Sequence, residues 1–116
     1  MLRIYHNPKF AKSRAGLQYL KAQGVDFEVV EYLKKHMMEK DLTQLLIKLN
    51  MNPLEIIRTG EKYYKKKLKG KKFHDHEWIR IICEHPELLK RPIVEGRYKA
   101  VVGDPTENID TLISKK

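Results

Sequence analysis

A strand, a helix and a second strand within the first 32 residues are the pattern that most limits the fold. Residues 2–6 alternate as a short strand does, and Asn7-Pro8 then turns the chain. Helical spacing of apolar residues predicts a helix over 11–23 that ends at Gly24. Residues 27–32 predict the second strand. Strands joined in this way are parallel with a right-handed crossover, so the chain opens as an α/β fold.

The middle of the chain has helical periodicity throughout. One helix ends before Pro53, and further helices are predicted at 53–58, 61–68 and 75–85, the last one before Pro86. The helix that ends before Pro53 carries four leucines at helical spacing, which we assign to a core: Leu42, Leu45, Leu46 and Leu49.

Two short β-prone runs and a final helix follow. Residues 92–94 and 98–102 predict a hairpin, and a last helix begins at Pro105. Together with the opening, they predict a thioredoxin-like (glutaredoxin-type) mixed four-stranded sheet with an inserted all-helical subdomain. We expect residues 1–116 to form a single domain, with a core at about 1–35 and 89–116 and a helical insert at about 36–88.

Composition limits the setting and the chemistry. The only cysteine is Cys83, so neither an internal disulfide nor a CxxC motif can form. No apolar run reaches the roughly 18 residues of a membrane span, and the first residues lack the apolar core of a signal peptide. We therefore expect a cytoplasmic protein that does not contact a membrane. We also expect a monomer, because a single domain is predicted and no exposed apolar stripe is obvious in the sequence. The net charge of +9 favours anionic partners.

Motifs along the chain resemble one family. Residues 4–8 (IYHNP) and 12–14 (KSR) are similar to the strand and active-site loop of the glutaredoxin-coupled arsenate reductases and their Spx-like relatives. Residues 57–61 (IRTGE) resemble the middle arginine segment of that family, and 91–94 (RPIV) its arginine-proline signature. Residues 100–105 (AVVGDP) extend the resemblance towards the end of the chain.

The resemblance implies a reaction for which this chain lacks the nucleophile. In the family, a cysteine of the first loop attacks arsenate, and glutathione and glutaredoxin then resolve the adduct. That position is Phe10 here. A helix N terminus and a nearby arginine lower the pKa of a thiol, and phenylalanine has none to activate. Ala11 has no hydroxyl or thiol, and Ser13 would need an adjacent base that the sequence does not identify.

The resemblance also implies three arginines that bind the oxyanion, because planar guanidinium groups suit a tetrahedral anion. Arg58 and Arg91 match two of them. The third falls on Asp104, which reverses the charge. The resemblance further implies that Pro92 is cis.

The remaining candidate ligand site is the loop that leads into the first helix, where N–H groups, the helix dipole and cations converge. Its predicted anion-binding residues are His6, Asn7, Ser13, Arg14, Arg58 and Arg91. For His6 we favour support of the loop over a catalytic role. No bound cofactor is expected, and glutathione enters as a possible ligand or co-substrate.

Two other groups of residues invite chemistry. Cys83 lies in a predicted helix, where a small core thiol is favoured over a relocated nucleophile. His74-Asp75-His76 could suggest a metal, but residues at i and i+2 do not share a helix face, and no further ligand lies close in the sequence. We therefore interpret this segment as a helix cap and expect no metal site.

Residues 60–72 hold seven lysines and one glutamate. With Tyr63 and Tyr64, this composition is typical of a nucleic-acid contact. No recognised nucleic-acid-binding motif accompanies it, so a solvated helix with one of the tyrosines in the core is the favoured interpretation, and nucleic acid is disfavoured as a partner.

Three functions stay open. The favoured one is an arsenate-reductase-like protein without thiol redox catalysis, with no catalytic residue of its own, that binds an anion or glutathione at the former active site. The second is an Spx-like regulator that contacts RNA polymerase. The third is a residual reductase that depends on glutathione and glutaredoxin.

Overall fold

The computed structural model describes residues 1–35 and 37–113. The chain divides into two compact units, one of Met1–Lys35 with Arg91–Lys116 and one of His36–Lys90. That the two units form a single domain stays a prediction. No helix in the described part of the chain is long and apolar enough to cross a membrane.

The first unit contains a four-stranded mixed sheet, as predicted. Its strands are β1 (Leu2–Tyr5), β2 (Phe27–Val30), β3 (Ile93–Glu95) and β4 (Ala100–Val102), in the spatial order β2-β1-β3-β4. Strand β1 pairs parallel with β2 and antiparallel with β3, and β3 pairs antiparallel with β4. The thioredoxin-like α/β fold expected from the sequence is therefore confirmed.

The bounds of all four strands differ from the prediction, and β3, predicted at 92–94, is observed at Ile93–Glu95. Strand β1 ends at Tyr5 and β2 at Val30, and the hairpin turn includes residues that the sequence assigned to β4. The Gly96 N–H donates to the Lys99 carbonyl at 2.7 Å, which closes a turn over Tyr98 and leaves that side chain 80% exposed. Tyr98 and Lys99 therefore belong to the turn, because this hydrogen bond replaces the strand pairing that β-propensity favoured.

Helix α1 (Ala11–Ala22) lies in the first unit and approaches Pro92 closely. A Cβ atom added at Gly16 would come 2.6 Å from Pro92 Cγ, so the helix can lie here only with glycine at that position. Gly24 has a φ of +68°, as its predicted role in ending the helix requires. One cluster of the buried core of this unit contains Ile4, Leu20, Val94 and Ile109.

The last helix is a 3₁₀ helix, Thr106–Leu112. The Asn108 side chain donates to the carbonyl of Val102 at 3.0 Å, and the Thr111 hydroxyl donates to the Asn108 carbonyl at 2.9 Å. Side-chain bonds of this kind compete with the α-helical pattern. Ile109 is nevertheless buried, so this helix covers the sheet in the way the sequence predicted.

The second unit is helical apart from an isolated bridge between Ile57 and Leu89. Its elements are α2 (Glu39–Leu49), a 3₁₀ turn (Pro53–Ile56), a π-helical turn (Tyr64–Leu68), α3 (Asp75–Glu84) and a 3₁₀ turn (Pro86–Leu88). The four leucines of α2 are buried, which confirms their assignment to a core. The helices predicted at 53–58 and 61–68 are thus shorter and of other types. Asn52 caps the first of them, and Ile57 already has extended backbone.

Candidate functional site

Asn7 accepts two hydrogen bonds within the loop between β1 and α1. Its carbonyl accepts from the Phe10 N–H at 3.2 Å, and its side-chain oxygen accepts from the Lys9 N–H at 3.2 Å. Asn7 itself is buried. The asparagine-proline turn seen in the sequence therefore folds back on itself and leads the chain directly into α1.

Ser13 and His6 form a buried pair beneath this loop. The Ser13 Oγ lies 2.6 Å from His6 Nδ1 and accepts from the Asn7 N–H at 2.9 Å. The sequence did not identify a base for Ser13, and the structure places His6 beside it, because the loop and the first turn of α1 return the chain to the end of β1. The Ser13 side chain is fully buried, however, so this arrangement supports the loop and does not expose a nucleophile.

Burial lowers the pKa of His6, and this effect outweighs the opposite influence of the Glu31 carboxylate. The neutral imidazole can accept the Ser13 hydroxyl proton at Nδ1, while the serine oxygen accepts from Asn7. His6 Nδ1, the Ser13 hydroxyl and the Asn7 N–H then each have a hydrogen-bond partner. The geometry favours the interpretation of His6 as support for the loop.

Phe10 and Arg91 come together above the start of α1. Phe10 is the residue before the helix, and its side chain is 38% exposed and provides no hydrogen-bonding cap. The Arg91 guanidinium carbon lies 3.2 Å from the centre of the Phe10 ring, and Arg91 is only 8% exposed. The Arg91–Pro92 peptide bond is cis, as the resemblance implies.

The N terminus of α1 differs electrostatically from those of the other two long helices. Helix α1 has no acidic residue in its first turn. Helix α2 begins with Glu39 and Asp41, and α3 has Asp75 and Glu77. Acidic side chains at a helix N terminus offset the helix dipole, so α1 retains a positive end that can attract an anion.

Two cations near this helix end already have partners. The exposed Arg14 donates to the Pro8 carbonyl at 2.8 Å, which ties the first turn of α1 to the loop. The Lys12 ammonium lies 3.1 Å from the carboxylate of Asp104, the residue at which the resemblance implies the third arginine. Asp104 therefore neutralises a cation beside α1 instead of adding one.

Arg58 belongs to the second unit and interacts with groups of that unit. Its guanidinium pairs with the Glu61 carboxylate at 2.6 Å and donates to the Glu87 carbonyl at 3.2 Å. These contacts connect the segment after the first 3₁₀ turn to the one before β3.

Residues 5–112 match the ArsC family. The chain belongs to this family. It is 36% identical over 114 residues to an arsenate reductase of Neisseria meningitidis serogroup A, with 97% of each chain covered. It is 38% identical over 114 residues to the protein YfgD of Escherichia coli, with 97% of this chain and 96% of the other covered. The structure of an arsenate reductase from Vibrio cholerae superposes with a TM-score of 0.90 at 33% identity, with 97% of each chain covered.

The cysteine of this ArsC-family chain is neither buried nor activated. Cys83 lies in α3 and is half-buried, although the sequence predicted a core position. Partial burial, assisted by the carboxylates of Glu39, Asp41 and Glu84, raises the pKa of its thiol to about 11. The thiol is therefore protonated at neutral pH, which is unfavourable for a nucleophile.

His74 and Glu77 form the cap at the start of α3. The His74 N–H donates to the Glu77 carboxylate at 2.9 Å, and the His74 ring lies nearly parallel to that of His76, with centroids 5.8 Å apart. The two rings are thus neighbours, although their spacing suggested otherwise, because His74 precedes the helix. Among residues 1–35 and 37–113, no group of three or more histidine, cysteine or acidic residues could hold a metal ion.

The sequence analysis missed the glycines that surround Pro92. Gly16 lies beneath it, and a Cβ atom at Gly103 would come 3.2 Å from Pro92 Cγ. A signal was present for Gly16, because Ser13, Gly16 and Leu20 form a buried stripe in which two members are small. Such a stripe indicates close approach of another segment. Nothing local to Gly103 indicates its contact.

Proposed function

We propose that this ArsC-family protein binds an anion at the start of α1 and does not reduce arsenate with a thiol of its own. The observation that carries the proposal is the contact of Phe10, the residue before α1, with the Arg91 guanidinium. The resemblance to the family implies that Phe10 stands at the position of the nucleophilic cysteine. The anion is an oxyanion or a carboxylate of glutathione, the thiol to which arsenate reductases of this family are coupled.

The absence of thiol chemistry follows from the residues available. The reaction needs a thiolate beside the helix end, and Phe10 cannot supply one. Ser13 is adjacent to a base but is fully buried. Cys83 belongs to the second unit and has a raised pKa. Asp104 places a carboxylate where the family pattern has a cation.

Anion binding is supported by the electrostatics of the same helix end. Helix α1 begins without a side-chain cap or an acidic residue, and a buried guanidinium lies beside it. Stacking on Phe10 uses the face of the Arg91 guanidinium, whereas anions are bound through its N–H edge. The aromatic ring therefore orients the arginine without competing for the same atoms.

An amide NMR titration with arsenate, phosphate and reduced glutathione, each added separately, tests the binding. We expect saturable shifts in residues 6–14 and around Arg91. The Arg91→Met variant loses them, whereas Arg97→Met keeps them. Arg97 is a matched control, because it lies 5.3 Å from the Tyr98 ring in the same unit and is exposed. The absence of shifts at millimolar ligand would contradict the proposal.

A turnover assay with glutathione and glutaredoxin tests the loss of catalysis. We expect no arsenate reduction by the natural chain. The Phe10→Cys variant gains a thiol at the positive end of α1, where its pKa falls, and we expect activity to appear there or in Phe10→Cys combined with Asp104→Arg. Turnover by the natural chain would contradict the proposal, and its loss in Cys83→Ser would assign it to that thiol.

A further inference from the structure

The second unit carries a dense group of cations, the lysine segment, residues 62–72. Its lysines are all exposed: Lys62, Lys65, Lys66, Lys67, Lys69, Lys71 and Lys72. None of these seven forms an ion pair within the described residues. The neighbouring acidic residue, Glu61, pairs with Arg58. The charge of the lysine segment is therefore left for solvent or an external anion.

The local structure brings these charges close together. The π-helical turn Tyr64–Leu68 follows directly on a short helical start, so Lys62, Lys65, Lys66 and Lys67 lie within six residues of helical backbone. Lys69 directly follows this turn. Like charges crowded in this way destabilise a helix, and π-helical turns are frequently found at functional sites. An anionic ligand would relieve the repulsion.

Packing holds the lysine segment in place at both ends. Leu68 is buried, and the Phe73 ring packs edge-on against Trp78 with centroids 4.8 Å apart. At the other end, the Tyr63 ring stacks on His85 at 3.8 Å with an interplanar angle of 21°. The lysines therefore project from an anchored structure and not from a free tail.

The Tyr63–His85 stack adds a flat aromatic surface next to the cations. Both side chains are half-buried, and neither tyrosine of the segment is in the core, contrary to the expectation from the sequence. We propose that the lysine segment binds single-stranded nucleic acid, with the lysines on the phosphates and a base stacked at Tyr63. Cations that follow a backbone beside an aromatic platform are the usual means of such binding.

An anionic membrane is the competing partner, and the surface favours it less. Basic segments that bind lipid strongly also insert apolar side chains. The exposed large apolar residues of the second unit are Met38, Ile47 and Leu54, all outside the lysine segment, and its own leucine is buried. A tyrosine platform without an exposed apolar anchor suits a base better than an acyl chain.

Fluorescence anisotropy of a labelled 20-nucleotide oligo(dT) with the full chain tests this inference. We expect micromolar binding at 50 mM salt. With about six phosphates neutralised, the affinity falls by two to three orders of magnitude by 200 mM. Replacing Lys65, Lys66, Lys67 and Lys69 by Gln weakens binding at least tenfold and flattens the salt dependence. A control with Lys21, Lys35, Lys40 and Lys99 replaced by Gln removes the same charge from exposed positions and keeps most of the affinity.

Variants of Tyr63 distinguish the contribution of base stacking to oligo(dT) binding from the contribution of charge. Tyr63→Leu should weaken oligo(dT) binding about fivefold or more without changing its salt slope, and Tyr63→Phe should bind as the natural chain does. Circular dichroism of each variant confirms that it is folded.

Three results would overturn the inference. An equal loss of affinity in the two lysine variants would show that binding depends only on the net charge of the protein and not on the lysine segment. Equal binding of a duplex with no effect of Tyr63→Leu would exclude the single strand. Binding to phosphatidylserine vesicles that the Lys65–Lys69 set abolishes, without binding to oligo(dT), would assign the surface to a membrane.

Discussion

The loop before α1 and the lysine segment differ in whether their polar groups are buried and paired. In the loop, Asn7, Ser13 and His6 are buried and bonded to one another. In the lysine segment, seven cations are exposed and have no partner among the described residues. Buried polar groups that hydrogen-bond to one another fix the conformation of the loop. Exposed unpaired charges instead create a positive electrostatic potential at the surface. Changes in the loop should therefore cost stability, and changes in the lysine segment should affect binding with little loss of stability.

Removal of the Ser13 hydroxyl should have the largest effect on the loop. Ser13→Ala leaves His6 Nδ1 and the Asn7 N–H buried without their partner. We expect the free energy of unfolding, measured with urea, to fall by about 2 to 4 kcal/mol. Thr43→Val, which removes an exposed hydroxyl bonded to the Glu39 carbonyl, should cost far less. Equal losses in the two variants would show that burial of the pair does not matter.

A methyl group at Gly16 tests the packing that places Arg91 beside the loop. In Gly16→Ala the new Cβ would lie 2.6 Å from Pro92 Cγ, so one segment must move. Overpacking of about 1 to 3 kcal/mol exceeds the gain of about 1 kcal/mol in helix propensity. We expect a net loss of up to about 2 kcal/mol in urea unfolding. Gly60→Ala, with open space around the added atom, is the control, and an equal loss there would refute the clash.

The buried imidazole of His6 makes the stability of the loop dependent on pH. Burial lowers the pKa of His6 in the folded protein, so the unfolded chain binds a proton first as the pH falls. Stability should be full above the ordinary histidine pKa of about 6.5 and should decrease below it, by at most about 1.4 kcal/mol per pH unit. Urea unfolding between pH 7.5 and 5.5 measures this slope. His6→Gln should flatten it, and a steep slope retained in that variant but lost in His76→Gln would contradict the assignment.

The smallest effect is expected in the lysine segment, and it has the opposite sign. Replacing Lys65, Lys66, Lys67 and Lys69 by Gln removes like-charge pairs and should raise stability by up to about 1 kcal/mol at low salt. The gain should vanish in 1 M salt, because charges are then screened within about 3 Å. A loss of stability would mean that these lysines have structural partners. The lysine segment would then resemble the loop, in which polar groups stabilise the fold.

Much of the fold followed from periodicity. The parallel opening, the buried leucines of α2 and the four-stranded sheet were predicted correctly, because apolar spacing reports which face of an element is buried. Periodicity did not identify the turn at Tyr98, the 3₁₀ form of Thr106–Leu112 or the π-helical turn at Tyr64–Leu68. In the first two, particular hydrogen bonds displace the regular pattern, and propensity scales do not contain them.

The candidate site also has features that the sequence predicts and features that only the structure shows. The loop, the two arginines and Phe10 were predicted as parts of the site from the sequence and its resemblance to the family, since these predictions depend only on residue type and order. Only the tertiary structure decided that His6 lies against Ser13, that Arg91 lies over Phe10 and that Asp104 pairs with Lys12. Phe10 and Arg91 are far apart in the chain, and their contact depends on how α1 and the segment before β3 dock together. A linear pattern states which groups a chain possesses, whereas packing determines which of them meet and which stay exposed to a ligand.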